Sequence, residues 1–476
     1  MSLGEIARIV DGVVADADPS TVVTGSIEFD SRLIRPGGLF VAFTGDRVDG
    51  HDYVSAAVAA GAEAALVTRS VDAPSILVGD AVVAMGALAG AVVRRLPEAS
   101  VIGVTGSSGK TSTKDMLAHV LAKLGPTIAP PGSFNNELGH PYTVLRADET
   151  TRYLVLETSA RGVGHISYLT RIAPPRIGVV LNVGSAHLGV FGSRAAIAQA
   201  KGELVEALPS ADDGGVAVLN ADDPLVAAMR SRTPARVVTF GTARDADVRA
   251  LSIELDDLGR PRFTLSSAGE RAEVALRYVG AHHVGNALAT AAVAIECGMS
   301  VPQAAQALGA ATPASRWRME VTERVDGVLV VNDAYNANPE SMRAALEALA
   351  GISARRHARS VAVLGVMAEL GADADAEHVA IGRLAARLGI AQVVVVGAEA
   401  RGIEAGTALE GSWRGNASWV PDIGAAVALL RGELRPGDVV LVKASRAASL
   451  ERVAAAITDD FHQDEVDTDG PGGTAA

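Results

Sequence analysis

The run Thr105-Gly106-Ser107-Ser108-Gly109-Lys110-Thr111 constrains this chain more than any other feature. It follows the apolar stretch VIGVTG, which reads as a buried strand, and precedes a helical stretch that reaches Leu124. A glycine-rich turn between strand and helix lets backbone N–H groups converge on an anion, and the helix N-terminus adds partial positive charge. Lys110 is placed to reach the β and γ phosphates of a nucleotide, and the Thr111 hydroxyl to ligate Mg²⁺. The common spacing of such loops has glycine six residues before the lysine; Val104 stands there, so the loop is a variant.

The 476 residues, at roughly 150 per domain, suggest about three domains. With 49% hydrophobic and 20% charged residues, most of the chain can build ordinary cores, which excludes a disordered or fibrous protein. A net charge of −13 argues against a general nucleic-acid binder. Cys297 is the single cysteine, so no internal disulfide forms and a reducing compartment is expected. The start, MSLGEIARIV, has no basic segment ahead of an apolar one, and the longest apolar stretch, from Ala81 to Val93, is too short to span a bilayer. These features point to a cytoplasmic protein.

Pattern and punctuation divide the chain. Residues 1–96 alternate short β-rich runs with Gly/Pro turns and close on a helix at 81–95, a small α/β domain. Residues 97–312 alternate continuous apolar runs (YLVLE, IGVVLNV, GVAVLN, RVVTFG) with helical stretches, which implies a parallel sheet covered on both faces. Residues 248–279 read as an antiparallel appendage to it. Residues 313–457 repeat the alternation through VLVVND, SVAVLG, QVVVVG and VVLVKAS, a doubly wound, Rossmann-like domain. Residues 458–476 carry six acids and no Lys or Arg, and read as a disordered acidic tail.

Three further residues carry chemistry. Glu157 ends an apolar strand, where an ionised carboxylate is costly unless a metal or hydrogen bonds compensate it. His187, in NVGSAHL, follows another strand. Lys201, in AKGE, taken alone reads as a solvated helix lysine.

Together these residues resemble the Mur ligase family, ATP-dependent amide-forming enzymes of peptidoglycan precursor synthesis. The resemblance runs from residue 1 to about 457: TGSSGKTS, SFNNELG, ETS, NVGSAHL and AKGE follow in the family's order. The run Asn332-Asp333-Ala334-Tyr335-Asn336-Ala337-Asn338-Pro339 is similar to the member that adds D-alanyl-D-alanine to UDP-N-acetylmuramoyl-tripeptide; the sibling that adds the third amino acid has a DYAH-type sequence there. Folylpolyglutamate synthase shares the ATP loop but not the N-terminal runs Asp30-Ser31-Arg32 and Pro36–Phe40, which resemble a UDP-substrate-binding domain. A P-loop ATPase or kinase that forms no amide leaves Lys201 unexplained.

The resemblance implies ATP and two Mg²⁺ ions, with residues Thr105 to Ser112 holding the phosphates and Thr111, Glu157 and His187 the metals. It implies a carbamylated Lys201, an adenine-side contact from His282 and Asn286, a γ-phosphate contact from Arg318 and a ribose contact from Asp333. Lys110, Lys201, His187, Glu157 and Arg318 are the expected catalytic group. Substrate contacts are expected from Ser31, Arg32, Asn135, Asn136, Tyr335, Asn336, Asn338, Lys443, Ser445 and Arg446. Where the family's adenine motif reads G-x-H-N-x-x-N, His283 replaces the first asparagine; Arg316 lies two residues from Arg318; Val366 stands where an acid is frequent. A monomer without a nucleic-acid partner or membrane span is expected.

Overall fold

A computed structural model describes residues 1–45, 48–184 and 188–464. The chain forms three sheets in sequence order. The first has five strands, ordered Val13–Ala15, Ser75–Leu77, Ala62–Val67, Gly38–Val41 and Ile27–Glu28, parallel except for the first pair. Its helix Ala81–Arg94 is capped by Asp80, whose carboxylate accepts from the Val82 and Val83 N–H groups.

The central sheet has nine strands. Six parallel strands, ordered Arg236–Gly241, Val216–Asn220, Ile177–Val180, Ser100–Thr105, Tyr153–Glu157 and Thr127–Ile128, carry the site. The expected antiparallel appendage extends this sheet: Val248–Leu255 pairs in parallel with Arg236–Gly241, then Pro261–Ser267 and Glu270–Ala275 add antiparallel strands. Helices Lys110–Leu121, His283–Glu296 and Val301–Ala310 cover one face, packing against Ile102, Val104, Val179 and Val218. Burial of these strands on both faces explains their uninterrupted Val/Ile/Leu sequence.

The third sheet has six strands, ordered Glu320–Glu323, Leu329–Asn332, Val439–Lys443, Ser360–Leu364, Gln392–Val396 and Asn416–Val420. Only the first pair is antiparallel. The last helix, Glu451–Asp464, takes in the first residues of the expected acidic tail; residues 465–476 lie outside the described residues.

Aromatic side chains join the first sheet to the second. Phe29 and Tyr142 meet edge-to-face with centroids 4.8 Å apart, Phe134 meets Tyr142 in a tilted contact at 5.6 Å, and the Tyr142 hydroxyl donates to Glu28 at 2.7 Å. The second and third units meet where the phosphate loop ends.

Candidate functional site

Strand Ser100–Thr105 delivers the loop into the start of helix Lys110–Leu121. Gly109 caps that helix with φ +82° and, in addition, a Cβ there would lie 2.5 Å from Asn286 Oδ1, so only glycine fits. Val104 is a fully buried strand residue paired with Glu157, and the strand runs on through Thr105, so the turn begins at Gly106 and glycine is not needed at 104. Asn182 braces the loop by accepting from the Ser108 N–H at 2.9 Å and donating to the Ser108 carbonyl at 3.2 Å.

Lys110 Nζ donates to the Gly106 carbonyl at 2.6 Å. Burial lowers its pKa, Glu157 opposing that and Arg318 adding to it. Behind Thr111 stands Glu157, fully buried at the end of its strand. Its Oε2 lies 3.5 Å from Thr111 Oγ1, 3.3 Å from Ser133 Oγ and 3.4 Å from Asn135 Nδ2. Its Oε1 is buried with no partner among the described residues. A buried carboxylate oxygen left unpaired costs free energy that a cation would recover. One carboxylate and one hydroxyl beside a phosphate loop suit Mg²⁺, which keeps waters and phosphate oxygens as its other ligands. No three His, Cys, Asp or Glu side chains among the described residues form a protein-only metal cage.

Lys201, on helix Arg194–Glu206, is 5% exposed. Burial lowers its pKa well below the usual lysine value, with the nearby Lys110 charge lowering it further. The amine is therefore biased to its neutral form, and the solvated lysine that its sequence context alone suggests is corrected by its burial. In the same run, Glu203 caps helix His165–Ile172, accepting from the Gly164 and Ser167 N–H groups at 2.6 and 2.9 Å.

The third unit closes the cleft. Arg318 Nη2 donates to Thr111 Oγ1 at 3.1 Å, and its guanidinium stacks 4.2 Å over the Tyr335 ring. Arg316 instead lies over Trp317 at 5.7 Å, so of the two arginines Arg318 is the one that crosses. Trp317 and Met319, on either side of it, have φ of +59° and +52°, a left-handed backbone that costs roughly 1–2 kcal/mol per residue. Trp317 N–H is held by Glu320 at 2.9 Å and Met319 N–H by Asp333 Oδ1 at 3.1 Å. Asp333 Oδ2 accepts from the buried Lys443 Nζ at 2.6 Å, and Lys443 also donates to the Asn336 carbonyl at 2.8 Å. Burial lowers the Lys443 pKa, against the pull of Asp333.

Around a cleft of about 340 Å³ the fold gathers Ser107 to Ser112, Asn135, Asn136, His282, Asn286, Arg318, Asp333, Tyr335, Asn336, Asn338 and Lys443. Asn338 caps helix Pro339–Arg356 and reaches the Ser107 carbonyl at 3.4 Å. His283 lines the same wall and takes an Asn286 contact at 3.2 Å.

Other expected residues stand apart. Thr105 and Gly106 support the loop from behind, Thr105 Oγ1 donating to the Thr158 carbonyl at 2.8 Å. Ser445 accepts from the Ala368 N–H at 2.9 Å, and Arg446 pairs with Glu451 at 2.6 Å and covers Trp317 at 4.5 Å. Neither Ser445 nor Arg446 lines the cleft. Ser31 and Arg32 lie in the first unit, away from it, where Arg32 pairs with Asp30 at 2.6 Å. His187 lies outside the described residues. Arg161, His165 and Glu340 line the cleft without having been expected; no spacing or motif in ARGVGH or PES sets them apart in the sequence.

Three family profiles match the chain: "Mur ligase family, catalytic domain" over residues 24–107, "Mur ligase middle domain" over 104–294 and "Mur ligase, glutamate ligase domain" over 317–446. The UDP-N-acetylmuramoyl-tripeptide–D-alanyl-D-alanine ligase of Mycobacterium tuberculosis is 54% identical, over 97% of this chain and 98% of its own. Among solved structures, MurF from Acinetobacter baumannii superposes with a TM-score of 0.85 at 31% identity, covering 97% of this chain and 98% of that one. MurF ligase from Thermotoga maritima, in complex with ADP, gives a TM-score of 0.78 at 31% identity over 93% and 99%.

Proposed function

The chain belongs to the Mur ligase family, and we infer from that membership and from the cleft what it does. It is a ligase that adds D-alanyl-D-alanine to UDP-N-acetylmuramoyl-tripeptide in peptidoglycan precursor synthesis. It uses ATP. The observation that carries this reading is the meeting, in one cleft, of the phosphate loop with Arg318, Asn336 and Lys443 of the third unit.

The terminal carboxylate of the tripeptide attacks the γ-phosphate, giving an acyl phosphate and ADP. The amine of D-alanyl-D-alanine then attacks the acyl carbon, and phosphate leaves. The first step brings an anion against an anion. Lys110 and the loop N–H groups hold the triphosphate, and Arg318 supplies positive charge to the γ-phosphate from the opposite side. Thr111 and Glu157 would hold Mg²⁺, with His187 as the expected ligand of a second ion; bound there, the metal neutralises phosphate charge. Lys201 is the residue proposed to be carbamylated: a neutral buried amine is the form that reacts with CO₂, and the resulting carbamate anion offsets the surrounding cations. His282 and Asn286 face the adenine side. Asp333 spends one oxygen on Met319 and one on Lys443, and with about four lone-pair sites keeps capacity for a ribose hydroxyl. Asn135 and Asn136 meet the tripeptide end, and Tyr335, Asn336 and Asn338 the incoming dipeptide. Ser31 and Arg32 belong to the UDP side, on the first domain (1–96); ATP sits on the second (97–312) and the dipeptide on the third (313–457). Enclosure between the last two keeps water from the acyl phosphate.

We place the enzyme in the cytoplasm as a monomer. No helix among the described residues is long and apolar enough to cross a membrane. The purified protein should release phosphate only when the tripeptide substrate and D-alanyl-D-alanine are both present. Equal turnover with a diamino acid in place of the dipeptide would favour the sibling that adds the third residue.

A further inference from the structure

One turn into the phosphate-loop helix stand a lysine and an aspartate that do not line the cleft. Lys114 and Asp115 are 3% and 6% exposed and pair with each other. Neighbours on a helix point about 100° apart and do not ordinarily serve one contact. Here both turn onto the same short segment. Asp115 Oδ2 accepts from the Ser315 N–H at 2.9 Å, and Lys114 Nζ lies 3.4 Å from Ser315 Oγ. Lys114 also donates to the Pro130 carbonyl at 3.0 Å.

Ser315 lies in the connection between helix Val301–Ala310 of the second unit and strand Glu320–Glu323 of the third. Three residues on is Arg318. The chain between them is fixed at its far side by Glu320 and Asp333. Pro130 precedes the segment whose Ser133 and Asn135 face Glu157. Burying an ion pair in place of two apolar side chains brings little stability or none, so fold stability alone does not account for this pair.

We propose that Lys114 and Asp115 are positioning residues that fix the interdomain connection and the Ser133–Asn135 segment to the phosphate helix, and thereby set Arg318 over the loop. This rests on the reading of Arg318 as the γ-phosphate contact. Neither side chain lines the cleft; they act through the connection.

The test is a double-mutant cycle on the full chain. Replacing the pair as a unit, Lys114→Met with Asp115→Leu, is expected to leave ADP affinity within about threefold while kcat falls on the order of 10–100-fold, the cost of a misplaced contact. In an Arg318→Ala background the same replacement is expected to change kcat by about twofold or less, because the group it positions is gone. Asp115→Ala, which removes the acceptor for the Ser315 N–H, serves in the same cycle if the double replacement does not fold. An unchanged kcat in the parent, or an undiminished loss in the Arg318→Ala background, overturns the proposal. Parental kcat in Arg318→Ala alone would remove the reading beneath it, and that single variant tells the two failures apart.

Discussion

Arg318 and Thr111 meet at 3.1 Å, although they lie on different units and 207 residues apart in sequence. The arginine rests on the hydroxyl that opens the phosphate-loop helix, and Asn338 reaches the Ser107 carbonyl at 3.4 Å beside it, so the third unit meets the loop through two hydrogen bonds.

Removing that arm should separate chemistry from binding. Arg318→Ala is expected to lower kcat on the order of 10²–10³-fold with a much smaller change in ADP affinity. Arg318→Lys should restore little, because a point charge replaces a planar fork that also stacks on Tyr335. Steady-state kinetics beside ADP calorimetry check this, and equal losses in both would assign Arg318 to ground-state binding.

Lys201→Ala should nearly abolish ligation, and short carboxylates added to the buffer should partly restore it by standing in for the carbamate. Full activity in the variant would refute the carbamate. The lysine is 5% exposed, so a circular dichroism spectrum matching the parent is the control for folding.

Asn336→Ala should raise KM for the dipeptide far more than KM for ATP. Its main-chain carbonyl still accepts from Lys443, so the lysine stays in place in the variant. An unchanged dipeptide KM removes the side chain from that subsite.

The joint between the first and second units carries a pH signature. Burial raises the Tyr142 pKa from 10 to about 12, with the Glu28 contact adding to it. The unfolded tyrosine ionises first, so this stability is present below pH 10 and is lost as the pH rises through 12, at most about 3 kcal/mol. Tyr142→Phe should flatten that part of the stability curve, measured by urea unfolding between roughly pH 9 and pH 12. Parallel curves for parent and variant would contradict it.

The sequence made the long strands legible because they are buried on both faces: IGVV, VAVLN and QVVVV carry no alternation that could mislead. The short strands at or near sheet edges, Val13–Ala15, Ile27–Glu28 and Glu320–Glu323, escaped notice, since two to four residues with mixed exposure give no period. In the site, the loop and Glu157 were readable because glycine spacing and a strand-end carboxylate have local causes. Choosing Arg318 over Arg316 needed the structure, because two left-handed residues, not the sequence interval, decide which guanidinium crosses. Nothing in the sequence sets Lys114 and Asp115 apart; their partners at 130 and 315 are set only by the packing of three segments.

The most direct measurement is the product balance of one reaction containing ATP, UDP-N-acetylmuramoyl-tripeptide and D-alanyl-D-alanine. The expected result is one ADP, one phosphate and one UDP-linked pentapeptide per turnover, identified by mass, with no phosphate when the dipeptide is left out. Steady ATP hydrolysis without the acceptor, or phosphate release with no new amide product, would contradict the account.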